Sequence, residues 1–158
     1  MTSKKRKSAG LLMYRLKDGK LEVLLAHPGG PYFAKKDEGH WTIPKGEPET
    51  DEDLLITAIR EFKEETGINA SGDFIPLSSI VQKGGKEVFA WAVEGDFPKD
   101  FVHECNFFEI EWPPRSGKFE EFPEIDKIEF LDVETAKKKI KEAQIPLVEK
   151  LEEHLVKQ

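Results

Sequence analysis

The chain of 158 residues is poor in sulfur. Its one cysteine, Cys105, has no partner for an internal disulfide, so a disulfide-stapled scaffold is excluded and the expected compartment is a reducing one, the cytoplasm. Long apolar runs are missing too. None approaches the ~18–20 residues of a membrane span, and no apolar h-region lies near the N-terminus. Positive charge is in deficit: Lys and Arg number 24 against 31 Asp and Glu, a net charge of −7. That balance argues against an extended nucleic-acid surface, and the lack of a basic amphipathic helix argues against membrane binding. Ligand spacing for a soft metal is also absent. His27, His40, His103 and His154 are scattered and read as surface or packing histidines.

What is present fits one globular domain, expected over residues 8–158, with residues 1–7 as a frayed, disordered basic tail. Charged residues make up 35% of the chain, above the ~25% usual for soluble domains, so solvated acidic helix faces are to be expected. Two apolar stretches, 9–16 and 21–26, flank Lys17-Asp18-Gly19-Lys20, and Asp-Gly between such runs predicts a hairpin. A polar loop with Lys35 and Lys36 leads to a short strand at Trp41-Thr42-Ile43. The segment 50–66 is the clearest helix: Leu55, Ala58, Ile59 and Phe62 recur at three- and four-residue spacing, Thr50 with Asp53 resembles a capping box, and Gly67 supplies the stop. Strands at 74–82 and 86–94 surround Gly84-Gly85. Residues 105–123, dense in aromatics, read as a long irregular loop. A strand at 127–131 and closing helices from Val133 onward complete a mixed α/β sandwich.

The chemistry sits on the helix. At ~100° per residue, Glu61, Glu64 and Glu65 fall at about 0°, 300° and 40°, one arc of roughly 100° away from the apolar stripe. In open water such neighbours repel by only a few tenths of a kcal/mol. In a cleft, at an effective dielectric of ~20 and ~6 Å, each pair costs about 3 kcal/mol and demands a counter-ion. The residues alone leave both a solvated face and a metal site open. Hard carboxylate oxygens would suit Mg²⁺ or Mn²⁺, with substrate phosphates completing the shell.

Gly46, five residues, Glu52, seven residues, then Arg60-Glu61-Phe62-Lys63-Glu64-Glu65-Thr66-Gly67-Ile68 resembles the complete Nudix box, G-x5-E-x7-R-E-U-x-E-E-x-G-U with U apolar. The resemblance implies the single-domain Nudix α/β/α sandwich, with a mixed sheet and a loop-helix-loop motif. It also implies hydrolysis of a diphosphate linkage in a nucleoside diphosphate joined to another group. By position, Glu61, Glu64 and Glu65 become ligands of Mg²⁺ or Mn²⁺, with the Gly46 carbonyl beside them, and Glu61 and Glu64 carry the catalysis. Glu52, Arg60 and Gly67 become structural members of the motif. The approach segment Trp41-Thr42-Ile43-Pro44-Lys45-Gly46 is similar to the diadenosine tetraphosphate branch, which ranks dinucleoside polyphosphates and nucleoside triphosphates first as substrates. Glu124 is similar in placement to a late acidic residue of that branch and is the candidate general base. Lys45, Lys35 and Lys36 are candidate phosphate contacts, while Trp112 and Arg115 are candidates for holding the base and phosphates. The partner expected is therefore a small nucleotide, as monomer or homodimer. A second reading is a sensor or scaffold of the same fold that binds nucleotide without turnover. It would have no need of the acidic trio.

Overall fold

Ala9, Leu11 and Met13 are buried on one face of β1 (Lys7–Lys17), and Leu12 and Tyr14 on the other. A strand apolar on both faces has to lie inside a sandwich. In this computed structural model, which describes residues 6–156, β1 is at the centre of the sheet. The Asp18-Gly19 turn, with both residues at positive φ, returns the chain as β2 (Lys20–Pro28), antiparallel to β1. The two-residue β3 (Lys45–Gly46) continues β2's side of β1, pairing Ala9 with Gly46 and Gly10 with Lys45. β4 (Ile75–Val81) and β5 (Glu87–Glu94) form the second expected hairpin, and β5 lies parallel to β1. β8 (Ile125–Asp132) closes the far edge against β2, giving the order β4-β5-β1-β2-β8.

Helices cover both faces. The helix α1 (Leu54–Thr66) presses Ala58 and Phe62 onto Ala9, Leu11, Met13 and Leu24. On the other side α2 (Val133–Lys139), a 3-10 turn (Glu142–Gln144) and α3 (Ile145–Val156) bury Ala136, Ile140, Leu147, Val148 and Leu151 against Leu12, Val23 and Leu25. The expected α/β/α sandwich with a mixed sheet is what the chain forms. No helix among the described residues is long and apolar enough to cross a membrane.

Four local expectations need correction. Residues 105–123 are no irregular loop: β6 (Phe107–Glu111) and β7 (Phe119–Pro123) pair as a separate antiparallel ribbon. The segment Trp41-Thr42-Ile43 makes only isolated bridges, Thr42 to Ala26 and Trp41 to Ile140. No capping box forms. Helix α1 begins after Asp53, whose side chain makes no cap bond; the loop before it is held by Glu52, which accepts from the Glu49 N–H and the Thr57 hydroxyl. Finally, two residues of the expected tail are ordered: Lys7 opens β1 and Arg6 donates to Glu47 at 3.2 Å, while residues 1–5 lie outside the described residues.

Candidate active site

The apolar stripe of α1 fixes which way its acids point. With Phe62 wholly buried, the adjoining face carries Glu61, Glu64 and Glu65 toward the loop that enters from β3. Gly67, in the left-handed conformation at φ 85°, ends the helix directly after them and donates to the Lys63 carbonyl. Gly46 is the point of closest approach. A Cβ there would stand 2.1 Å from Glu61 Cδ, so only glycine lets the β3 backbone lie against that carboxylate. One residue earlier the Lys45 N–H donates to Glu65 Oε2 at 3.0 Å. Two adjacent residues of one short strand thus touch two of the three acids.

Arg60 ties the motif together. Its Nε and Nη2 donate to the two oxygens of Glu52 at 2.9 and 2.8 Å, a bidentate pair, and Nη2 also donates to the Glu47 carbonyl at 3.2 Å. Nη1 reaches Glu61 Oε1 at 3.0 Å and both Glu64 oxygens at 3.3 Å. Glu52 accepts in addition from the Thr57 hydroxyl at 2.7 Å and the Glu49 N–H at 3.1 Å. These bonds to the ionised form hold its carboxyl down at about 2, Arg60 contributing most. The loop before the helix is therefore braced by a charge-assisted network that includes Thr57 and the Glu47 carbonyl, neither singled out from sequence.

Glu61 and Glu65 are under the opposite stress. Burial pushes Glu65 up to about 8, with repulsion from Glu61 and Glu124 added and the Lys45 N–H opposing. Glu61 is raised as well, first by burial, with Arg60 opposing and Glu64 and Glu124 repelling it. Glu124, on the exposed turn between β7 and β8, thus bears on both half-buried Glu61 and buried Glu65. Lys45 presents the trio with its N–H. Its side chain is largely buried, which, with repulsion from Lys141 and Lys86, pushes the ammonium down to about 8.

The other expected contacts lie on the loop of residues 29–40 and on the β6–β7 ribbon, which form a rim. Trp112, at the end of β6, packs edge-on against Tyr32 with ring centroids 5.4 Å apart. Phe108 lies so close to Gly30 that a Cβ there would meet its ring at 2.7 Å. The ribbon is thereby pinned to the loop that carries Lys35 and Lys36, both exposed. Arg115 is exposed at the ribbon's tip, its backbone N–H bound to Glu111. His27, expected as an ordinary packing or surface residue, is buried with both ring nitrogens engaged.

Whether a divalent cation fits is decided by charge. Glu52, Glu61 and Glu64 gather around the Arg60 guanidinium, and Glu61 and Glu65 are held above the usual carboxylate range, first by burial and then by neighbouring carboxylates, Glu124 among them. The donors are hard oxygens, as Mg²⁺ and Mn²⁺ require. Among the described residues no three His, Cys, Asp or Glu side chains already close on one point, since Arg60 Nη1 draws Glu61 and Glu64 to itself. The residue types fit the ion.

Comparison with known proteins decides the family. The model of the NUDIX domain matches residues 4–151. The chain belongs to the Nudix family. Over 62 residues it is 45% identical to the asymmetrical bis(5'-nucleosyl)-tetraphosphatase of Caenorhabditis elegans, a match covering 39% of this chain and 41% of that protein. The sequence match thus spans about two fifths of that relative's length. The crystal structure of a C. elegans Ap4A hydrolase binary complex superposes with a TM-score of 0.69 at 25% identity, covering 96% of this chain and 99% of that one. The NUDIX domain of Shewanella oneidensis NrtR, complexed with ADP ribose, gives the same TM-score at 13% identity over 98% and 90% of the two chains, a likeness of fold.

Proposed function

We propose that this Nudix protein hydrolyses a diphosphate linkage in a nucleotide, with a dinucleoside polyphosphate as the first-ranked substrate and Mg²⁺ or Mn²⁺ as cofactor. The observation that carries the reading is the packing of Gly46 against Glu61 and of the Lys45 N–H against Glu65. It gathers carboxylates, two of them raised chiefly by burial, at the end of a braced loop. Glu61, Glu64 and Glu65, with the Gly46 carbonyl, would hold the cation, which supplies positive charge against the diphosphate and acidifies a water. Glu124 takes the proton from the attacking water. Arg60 keeps the loop and the acids in register through Glu52 and the Glu47 carbonyl. Trp112 with Tyr32 offers a surface for a base, and Lys35, Lys36 and Arg115 are the cations of the rim. Lys45 positions Glu65 through its backbone N–H and is also a candidate phosphate contact. The names of the C. elegans relatives support the substrate ranking.

The test is a panel of dinucleoside polyphosphates and nucleoside triphosphates incubated with Mg²⁺ and scored for released mono- and diphosphate. Turnover of diadenosine tetraphosphate that stops on chelation is expected. Glu124→Gln should lower kcat without weakening Mn²⁺ affinity. Tight nucleotide binding with no turnover of any panel member would favour the sensor reading instead.

A further inference from the structure

His27 lies at the end of β2 with its side chain 6% exposed, its ring edge-on to Trp41 at 5.2 Å. Nδ1 is 2.6 Å from Asp126 Oδ1, and Nε2 is 2.5 Å from the Lys36 carbonyl oxygen. A carbonyl oxygen and a carboxylate both only accept. A neutral imidazole has one N–H and one lone pair, so either tautomer would set a lone pair against an oxygen. The ring that satisfies both carries a proton on each nitrogen, and Asp126 supplies the countercharge a buried cation needs.

The sheet gives this pair its leverage. His27 is opposite Lys127, but Pro28 is opposite Ile125, so Asp126 is the extra residue of a bulge. Bulges bend a strand and re-aim side chains next to them. Glu124 precedes this bulge and is gripped at both ends of its backbone: its N–H donates to the Asn106 carbonyl at 2.9 Å, and its carbonyl accepts from the Gly29 N–H at 2.8 Å. Gly29 is as close as glycine allows, since a Cβ there would lie 2.0 Å from the Pro123 oxygen.

We infer that His27, doubly protonated and paired with Asp126, is a positioning residue for Glu124. It locks the bulge that directs the Glu124 carboxylate, and through the Lys36 carbonyl it ties the loop of residues 29–40 to the same point. The inference rests on the reading of Glu124 as the base. The groups facing the ring are Asp126 and Lys127 from β8, Asp37 and Lys36 from the loop, and Lys139 from the end of α2. Asp37 is already engaged by Trp41 Nε1 at 2.7 Å and Lys139 Nζ at 3.1 Å, which leaves Asp126 as the carboxylate in contact with His27.

Two measurements test it. Nitrogen NMR of the His27 ring in the wild-type protein, at the pH of the activity assay, should show both nitrogens protonated, and a neutral tautomer would overturn the inference. The second is a double-mutant cycle on hydrolysis of diadenosine tetraphosphate with Mg²⁺. His27→Gln should lower kcat about tenfold with KM little changed, yet have less than about a twofold effect in the Glu124→Gln background, because the two residues act as one unit. Tenfold losses that multiply would overturn the role of His27 while leaving Glu124 as base. A Glu124→Gln protein at wild-type rate would overturn the base reading and the inference with it. Should His27→Gln fail to fold, Asp126→Asn, nearly isosteric, replaces it in the same cycle with the same expectation.

Discussion

Gly46→Ala isolates position from chemistry, because it adds one methyl group and removes no functional atom. The added Cβ would stand 2.1 Å from Glu61 Cδ, where ordinary contact begins at 3.4 Å, so the carboxylate must retreat by the difference, 3.4 − 2.1 = 1.3 Å. The backbone does not have to move, since Gly46 is at no positive φ and the obstacle is the end of a flexible side chain. Stability should accordingly fall by no more than about 1–2 kcal/mol, the low end of overpacking costs. Activity should fall far more. A displacement of about 1 Å at a reacting centre costs on the order of a hundredfold in rate, and here the group displaced is one proposed to hold the cation. Initial rates on diadenosine tetraphosphate at saturating Mg²⁺ would be read beside a thermal melt of the same sample. A variant that melts near wild type and turns over within twofold of wild type would refute the reasoning.

Three further outcomes follow from the same network. Glu64→Gln, at a half-exposed position, should lower kcat/KM by a hundredfold or more, about 3 kcal/mol of transition-state stabilisation, with an unchanged far-UV circular dichroism spectrum. Glu52 is held at about 2, below the ~4.3 of an unfolded-chain glutamate. Its contribution is therefore present above that range and lost as pH falls from about 4 toward 2, so a series of melting temperatures should show a shallower acid limb in Glu52→Gln. Glu65 has the opposite sign. With its carboxyl pushed up to about 8, the metal-free native state binds a proton that the unfolded chain has released. Stability of the metal-free protein should decline as pH rises from about 4 through 8, and Glu65→Gln should flatten that decline in chemical denaturation.

Much of this fold is written in local patterns. The Asp18-Gly19 hairpin, the apolar stripe of α1 and the Gly67 stop each depend on residues within one or two turns of chain, and each forms as its pattern implies. The spacing from Gly46 to Glu65 likewise fixes which acids share a face. Elements that depend on distant partners were harder to see. The β6–β7 ribbon sets Glu109 opposite Glu121 and Ile110 opposite Glu120, pairings no alternation rule suggests, and it is held by Phe108 and Trp112 against Gly30 and Tyr32. Thr50 and Asp53 have the spacing of a capping box, but the loop before the helix is held instead by Glu52, which Arg60 fixes from further along the chain. His27 looks ordinary in sequence because its partner, Asp126, is 99 residues away and owes its position to a bulge.

The central claim is that Glu61, Glu64 and Glu65 hold a divalent ion at the end of the Gly46 loop. Crystals grown with Mn²⁺ and a non-hydrolysable dinucleoside polyphosphate test it through the manganese anomalous signal. The account predicts a peak bounded by those three carboxylates, with Arg60 Nη1 withdrawn from Glu61 and Glu64. A map with no peak there, or manganese held only elsewhere on the chain while nucleotide is bound, would contradict it.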